Sequence, residues 1–468
     1  MIGRLALRSL TAHPVRSAVL AAGFGAGVSV MAILLGVAEV VLDQATSPAL
    51  VGGGDVVIRL AAQVPVRMVL SGTLQADALR DRVRVAAPWH TTALFLVRED
   101  GSTADVDGRG GIPSLERALG DAETGSAAGW QDTPEDEAWT RVAPEDGLRQ
   151  IDRFHAIPEA PAWTDSWAEW LYFNGRAGDA RFYLTFMVGP HMPDGRRSAG
   201  VRLQLDRGGR MESFSTAMPL TDGEVARAPE LTIGGNHVRL AGMQYTIDLD
   251  LAGAGGRRVT GTLTIEGAAG HMVPPVEIGG ARGWRTGYVV PVMSGSLNGR
   301  LDVAGVPLAL DGGVGYHDHN WGFWRGVSWQ WGQVQHGDLS FLYGRVFPPP
   351  EAADPERIPG FVGALGPDGP LGYANNVRIT EQDDADGKPS VILVRGRGAA
   401  LDVTLRFEVA SVVTTRMAPG PIANGVGFLQ MRGTYAVSGQ AGSERVDFRA
   451  PGSAETFRGA GADRVRVP

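Results

Sequence analysis

From about residue 165 onward the chain is written with a period of two. The segments 181–188 (RFYLTFMV), 201–205 (VRLQL), 245–251 (YTIDLDL), 259–265 (VTGTLTI), 301–310, 340–347, 391–394, 401–409 (LDVTLRFEV) and 434–437 alternate or run apolar over short lengths. Successive side chains of a strand point to opposite faces, so this pattern demands sheets with one covered face. Turn signals separate the segments: Arg207-Gly208-Gly209, Gly234-Gly235-Asn236, Gly255-Gly256, Asp311-Gly312-Gly313, Asp368-Gly369 and Asp386-Gly387. No strongly amphipathic helix of ten or more residues is evident after residue 50. Short strands joined by Gly-rich turns predict antiparallel barrels or sandwiches. Some 300 residues of this exceed one ordinary barrel. The economical arrangement is two tandem barrel-like domains over residues 151–300 and 301–468, without an internal sequence repeat.

The first sixty residues read differently. Residues 17–38 are 22 residues without a charge, roughly 33 Å of helix against about 30 Å of bilayer hydrocarbon. Arg4, Arg8 and Arg16 precede the run; Glu39 and Asp43 follow it. The positive flank predicts a cytoplasmic stretch 1–16, a single-pass anchor over 17–43 in the inner membrane, and the bulk of the chain on the extracytoplasmic, periplasmic side. A cleaved signal peptide has a shorter apolar stretch, and a buried core helix is the other competing reading. The segment LALRSLTAHPVRSAVLAAGFGAGVSVMAILLGVAE also resembles the first span of FtsX-like ABC transporter permeases. No second apolar run of that length follows in the sequence, so the chain is not itself a permease.

Residues 44–150 read as an acidic spacer with short strands at 55–60 and 91–97. Between 101 and 150 stand 11 acids and four bases, which is most of the chain's net charge of −8. A solvated linker is the expectation. The acidic balance excludes binding to nucleic acid by backbone electrostatics. The absence of cysteine excludes thiol catalysis, zinc fingers and iron–sulfur clusters.

Seven of the 11 tryptophans fall in two clusters, WTDSWAEWLYFNG over 163–175 and GYHDHNWGFWRGVSWQW over 315–331. If the second is a strand, Tyr316, Asp318 and Asn320 share one face, and His317, His319 and Trp321 share the other. An Asp facing an apolar cavity keeps its proton. Such a carboxyl group can protonate an electron-rich carbon–carbon double bond, with aromatic faces steadying the cation. Three plainer readings stand beside this one. The aromatic residues can be core alone. His317-x-His319 can be a metal pair completed by His336, Asp338 or Glu169. The Asp and His residues can be a structural network. There is no G-x-S-x-G elbow, P-loop or dinucleotide fingerprint.

The two clusters resemble the carotenoid 1,2-hydratase (hydroxyneurosporene synthase) family and its AttH-like relatives. Glu169-Trp170-Leu171-Tyr172-Phe173-Asn174-Gly175 follows its E-W-W-Y-F-x-G pattern, with Leu171 for the second Trp. Tyr316-His317-Asp318-His319-Asn320-Trp321-Gly322 follows Y-x-D-H-x-W-G, and Trp329-Gln330-Trp331 follows its W-x-W. The resemblance implies two lipocalin-like barrels with a ligand cavity near their junction. It implies Asp318 as proton donor and Tyr316 as its helper. The stretch around Trp284 and Tyr288 departs from the hydratases, which place a His there. The expectation is a membrane-anchored hydratase or isomerase acting on a long apolar isoprenoid or polyene, without cofactor or metal. Trp170, Tyr172, Trp284, Tyr288, His319, Trp321, Trp329 and Trp331 are expected to line the substrate site. The rival is a non-catalytic lipocalin-like carrier of a lipid beside an ABC exporter. A structural envelope protein is a third reading.

Overall fold

The computed structural model describes residues 82–97, 103–119, 129–136 and 144–458 apart from 269, 399 and 417–426, with a few single positions before residue 80. Residues 17–38, which carry the anchor expectation and the permease resemblance, lie outside the described residues, as do 55, 59 and 60, while 56–58 form no strand. Among the described residues no helix is long and apolar enough to cross a membrane.

The chain divides into two compact units, Met1–Arg59 with Val85–Ala138, and Leu60–Arg84 with Trp139–Pro468. In the first, β1 (Trp89–Val97) pairs antiparallel with β2 (Thr103–Gly111), and α1 (Pro113–Leu119) follows. The Ser114 amide donates to Asp132 and the Arg117 guanidinium to the Trp130 carbonyl, both at 2.8 Å. The stretch read as a solvated linker thus holds a strand and a helix with Ile112 and Glu116 buried. Net charge limits how much a segment can bury, but it does not prevent backbone pairing.

In the second unit α2 (Pro144–Ile151) precedes a 12-stranded sheet. Its strands are β3 (Trp167–Ala177), β4 (Ala180–His191), β5 (Arg197–Arg207), β6 (Arg210–Ala217), β7 (Leu231–Ile233) and β8 (Asn236–Ala241). They continue as β9 (Gln244–Gly253), β10 (Arg258–Glu266), β11 (Val273–Gly279), β12 (Arg285–Val303), β13 (Val306–Ala309) and β14 (Gly313–Phe323). The order β10-β12-β14-β3-β4-β5-β6-β9, with β9 paired back onto β10, closes a barrel. Closure removes the open edges that a sheet of this length would otherwise expose.

A nine-stranded antiparallel sheet follows, built of β15 (Ser328–His336), β16 (Leu339–Phe347), β17 (Phe361–Gly366), β18 (Gly369–Ala374), β19 (Asn376–Asp383), β20 (Pro389–Arg397), β21 (Leu401–Arg416), β22 (Gly427–Ala441) and β23 (Glu444–Arg458). Its path is β18-β17-β16-β15-β23-β22-β21-β20-β19, and it curls until its ends approach. A methyl group on Gly396 of β20 would meet Val362 of β17 at 2.9 Å.

The alternating segments all become strand, and the Gly turn signals all fall between strands. Two boundaries differ from the sequence reading. The run 301–310 breaks into β12 and β13, because Ala304 and Gly305 adopt φ of 55° and 85°, a tight hairpin turn. The passage from first sheet to second falls between Phe323 and Ser328 rather than at residue 300. The cause is β14, which hydrogen-bonds between β12 and β3 and is needed to close the first barrel.

Each sheet encloses its own apolar core. Phe173, Phe182, Phe186 and Leu184 fill the first, and Tyr343, Phe407, Met431 and Tyr435 fill the second. A third buried cluster joins Tyr172, Tyr288, Val290 and Tyr316 of the first sheet to Trp331, Leu342 and Phe361 of the second.

Gly322, which ends the second motif, has φ of +144°, and a Cβ there would come within 2.6 Å of the Thr286 Cα. Gly322→Ala is expected to lower the stability measured by chemical denaturation by at least roughly 1–3 kcal/mol, the usual scale of backbone strain. Gly363→Ala, where a Cβ meets only Tyr373 at 4.0 Å, should leave the midpoint nearly unchanged.

Candidate active site between the two barrels

β14 lies between β3 and β12, so its alternation decides what meets what. Asp318 stands opposite Tyr172, Asn320 opposite Trp170 and Tyr316 opposite Asn174 on β3. On β12 Tyr288 faces Asn320. Paired residues share a face, and this face is the outside of the first barrel, packed against the second. Gln333 donates to Asn174 across the junction at 2.7 Å, Gln204 to Thr415 at 3.1 Å, and Arg432 to Asp206 at 2.6 Å. A cleft with about 410 Å³ of open space, continuous with solvent, enters between the barrels beside Asn174, Tyr183, Tyr316, Gln333 and Ser453.

Behind Tyr316 sits Asp318, only 2% exposed. The Tyr316 hydroxyl donates to its Oδ2 at 2.8 Å and the Asn320 amide to its Oδ1 at 2.6 Å. The Trp331 indole in turn donates to the Tyr316 oxygen at 2.9 Å. Among the described residues Asp318 forms no ion pair. Burial pushes its pKa well above the ordinary carboxylate range; the nearby Glu455 charge adds to this, and the two hydrogen bonds oppose it. Burial thus favours the protonated, neutral form of the group. Burial likewise raises Tyr316 well above its ordinary value.

The opposite face of β14 is chemically the reverse. His317 Nδ1 meets the Tyr172 carbonyl and its Nε2 meets Asp152, both at 2.9 Å. His319 lies between Glu169, 2.8 Å from its Nε2, and Asp152, 3.2 Å from its Nδ1. Glu169 also accepts from the His155 backbone and faces the His155 ring at 2.7 Å. Burial alone would lower His319, but the two carboxylates overcome it and hold the ring up at about 9. The histidines hold Asp152 and Glu169 below the usual range against the pull of burial.

The expected substrate-lining residues are thus divided by one strand. Trp170, Tyr172, Tyr288, Trp329 and Trp331 lie with Asp318 at the junction. His319, Trp321 and Trp284 do not. Trp321 packs inside the first barrel over Gly287, against the stacked His155 ring at 4.4 Å, and Trp284 is buried there with its indole donating to the Phe323 carbonyl. The His317-x-His319 pair of the alternative metal reading instead shares Asp152 as a partner, and His319 also meets Glu169. His336 stacks on Phe448 and Asp338 is exposed, so neither joins them. The residues placed to hold a cation are His155, Glu169 and His319, whose ligand atoms fall within 4.8 Å of one another. A metal ion there would have to displace the proton that His319 shares with its carboxylates.

Sequence reasoning missed Asp152, His155 and Glu455. The first two follow the acidic stretch and carry no motif. Glu455 is recognisable only through its register, directly opposite Trp331 on β15.

No protein-family model matches the sequence, and no curated protein matches it. Among solved structures, CghA with Sch210972 has a TM-score of 0.43 at 13% identity, covering 66% of this chain and 94% of that one. Kievitone hydratase from Nectria haematococca has 0.40 at 15% identity, covering 65% and 94%. A protein described as AttH from Nitrosomonas europaea has 0.40 at 13%, covering 62% and 92%. Likeness at this level carries no argument about chemistry.

The His319 network sets a pH dependence. The ring's folded value, about 9, exceeds its ordinary 6.5, so its stabilisation is complete below pH 6.5 and is lost as pH rises through 9. His319→Gln should be less stable than wild type at pH 6. The gap should narrow by roughly 3 kcal/mol on going to pH 9.5, measured by urea denaturation at each pH. A gap independent of pH would show that His319 is not held as a cation.

Proposed function

We propose that the chain is an acid catalyst of the hydratase or isomerase type, in which Asp318 protonates a carbon–carbon double bond of an elongated apolar substrate seated between the barrels. The observation that carries this reading is the buried Asp318 carboxyl group, without an ion pair among the described residues, inside an aromatic cluster. A carboxylate paired with arginine would be a poor proton donor, whereas burial favours the protonated form of this one.

The chemistry follows from the neighbours. Protonation converts the π bond into a C–H bond and leaves a carbocation on the adjacent carbon. The faces of Trp170, Tyr172, Tyr288, Trp329 and Trp331 can steady that charge. Tyr316, held by Trp331, keeps one oxygen of Asp318 occupied and so orients the carboxyl group. Capture of the cation by water gives an alcohol; loss of a different proton gives an isomer. No step calls for an organic cofactor. The motif resemblance to carotenoid 1,2-hydratases and AttH-like proteins agrees with this class of reaction.

The uncharged run 17–38 supports a place for the protein. We read it as a single-pass inner-membrane anchor that leaves the barrels on the periplasmic side, where a lipid-soluble substrate reaches the junction without crossing water. An ABC exporter is the fitting neighbour if the ligand is carried rather than converted.

Asp318→Asn keeps the shape and removes the acid. Incubated with squalene or lycopene in D2O, the wild type should form products carrying deuterium, and the variant should be slower by about 10²–10⁴-fold. The variant should also be more stable than the wild type, increasingly so as pH rises above 4. The folded wild type keeps a proton there that the unfolded chain releases, so its stability falls with rising pH. Equal turnover by the two proteins would eliminate Asp318 as the acid. Recovery of the same unaltered lipid from both would favour the carrier.

A further inference from the structure

The junction contains a second carboxyl group that the motif does not mark. Glu455 lies on β23 opposite Trp331 of β15 and opposite Gln430 of β22. The three residues therefore share the face that meets the first barrel. Trp329, two residues before Trp331, shares it as well. Glu455 accepts hydrogen bonds from the Trp329 indole and from the Tyr172 hydroxyl. Tyr172 in turn is the cross-strand partner of Asp318. Two carboxyl groups, one from each barrel, thus stand on either side of one aromatic space. Each is held by one tyrosine and reached by one tryptophan: Tyr316 and Trp331 serve Asp318, and Tyr172 and Trp329 serve Glu455. The rings of Tyr172 and Tyr316 are 6.5 Å apart, edge to face.

A second feature points to a small polar ligand at the same place. Gln430 is only 4% exposed, and its Oε1 has no hydrogen-bond partner. A buried amide oxygen without a donor is destabilising and rare unless something fills the gap. A water molecule between Gln430 and Glu455 would donate one proton to each.

We propose that Glu455 is the base of this site. It takes a proton from a water molecule held against Gln430 while Asp318 gives one to the substrate. This deepens the reading above and rests on it, and it narrows the reaction to hydration of an electron-rich alkene. The balance is complete without any co-reactant except water. The Asp318 proton and the alkene π electrons form the new C–H bond, leaving an Asp318 carboxylate and a carbocation. The water oxygen forms the C–O bond, and its released proton passes to the Glu455 carboxylate. A return of that proton from Glu455 to Asp318, through the two tyrosine hydroxyls or through solvent, resets the pair.

The surroundings suit the division of labour. Burial raises Glu455 to about 7, and burial also raises Asp318 well above the ordinary carboxylate range, with the Glu455 charge adding to it. The Glu455 charge disfavours charge on Asp318, which suits a pair with its proton on Asp318 and the open position on Glu455. The other groups that face the pair are Tyr172 of β3, Tyr183 of β4, and Tyr316 and Asn320 of β14, with Trp329, Trp331 and Gln430 from the second sheet. His319 acts on Asp318 only from behind the strand, and Arg432 is engaged by Asp206.

Glu455→Gln and Asp318→Asn, each in the full chain, test the assignment with two readouts. The first needs no substrate. Infrared titration of protonated carboxyl groups in D2O should show one group losing its proton near pH 7 in the wild type. That step should vanish in Glu455→Gln, and the remaining Asp318 step should move to lower pH. A titration in Glu455→Gln identical to wild type would overturn the pair. The second readout uses squalene in D2O. Glu455→Gln should lose alcohol formation by 100-fold or more yet still wash deuterium into recovered squalene, because Asp318 can protonate the alkene and take a proton back. Asp318→Asn should lose both. Alcohol formation by Glu455→Gln at the wild-type rate would remove Glu455 from the mechanism and leave Asp318 in it. Absence of alcohol and deuterium with the wild type itself would overturn the functional reading, and the titration would still decide the pair.

Discussion

The structure depends on one strand doing opposite electrostatic work on its two faces. On β14 the odd-even alternation sends His317 and His319 into the first barrel and Tyr316 and Asp318 out of it. Both faces are sealed from water, and desolvation opposes charge on both. The outcome is decided by partners. Inside the barrel, Asp152 and Glu169 favour the charged form of His319, and the histidines favour the charged forms of both acids. Outside it, Asp318 meets only a hydroxyl and an amide among the described residues, and burial favours its neutral form. A shift of one residue in register would exchange the two faces and destroy both arrangements at once. The inner network therefore serves the outer site by fixing the position of the strand that carries it. Asp152, at the end of α2, and Glu169, from β3, grip His319 from two directions, and Asp152 holds His317 as well.

This division explains why a motif dense in His, Asp and Trp does not converge on a single centre. Asp318 and His319 are chain neighbours, yet their side chains have different surroundings and different tasks. The tryptophans obey the same rule. Trp321 and Trp284 are packing elements of the barrel, whereas Trp329 and Trp331 belong to the junction. The junction is assembled from both barrels. The first supplies the acid and its tyrosine, and the second supplies the indole that holds the tyrosine.

Much of this was legible in the amino-acid order. The alternating runs and Gly turns announce antiparallel sheets because strand periodicity and positive φ are local properties. The two faces of the 315–331 segment were readable for the same reason. What sequence could not show was set by long-range pairing. The boundary between barrels depends on β14 being the strand that closes the first one, and closure is invisible to a window of ten residues. Trp321 was expected beside the substrate through the motif resemblance, although strand alternation already set it on the face away from Asp318, and Trp284 because no local pattern assigns its face. Glu455 and Asp152 carry no local signal. One is identified only by lying opposite Trp331, the other only by the histidines 165 residues away that it meets.

Glycine has a second role here besides turning the chain. Trp331 stands opposite Gly344 on β16, and Trp321 opposite Gly287 on β12. A methyl group on either glycine would come within 2.4 Å of the facing indole. Each ring therefore lies flat across its cross-strand neighbour, in space that any other residue would fill. For Trp321 this locks a packing element inside the barrel. For Trp331 the consequence reaches the chemistry, because the indole laid over Gly344 is the one that aims its N–H at the Tyr316 oxygen. A bulkier residue at 344 would tilt that ring and release the tyrosine, and the carboxyl group it orients would lose one of its two fixed partners. The bare backbone at 344 is thus a condition for the proton at 318 to point one way.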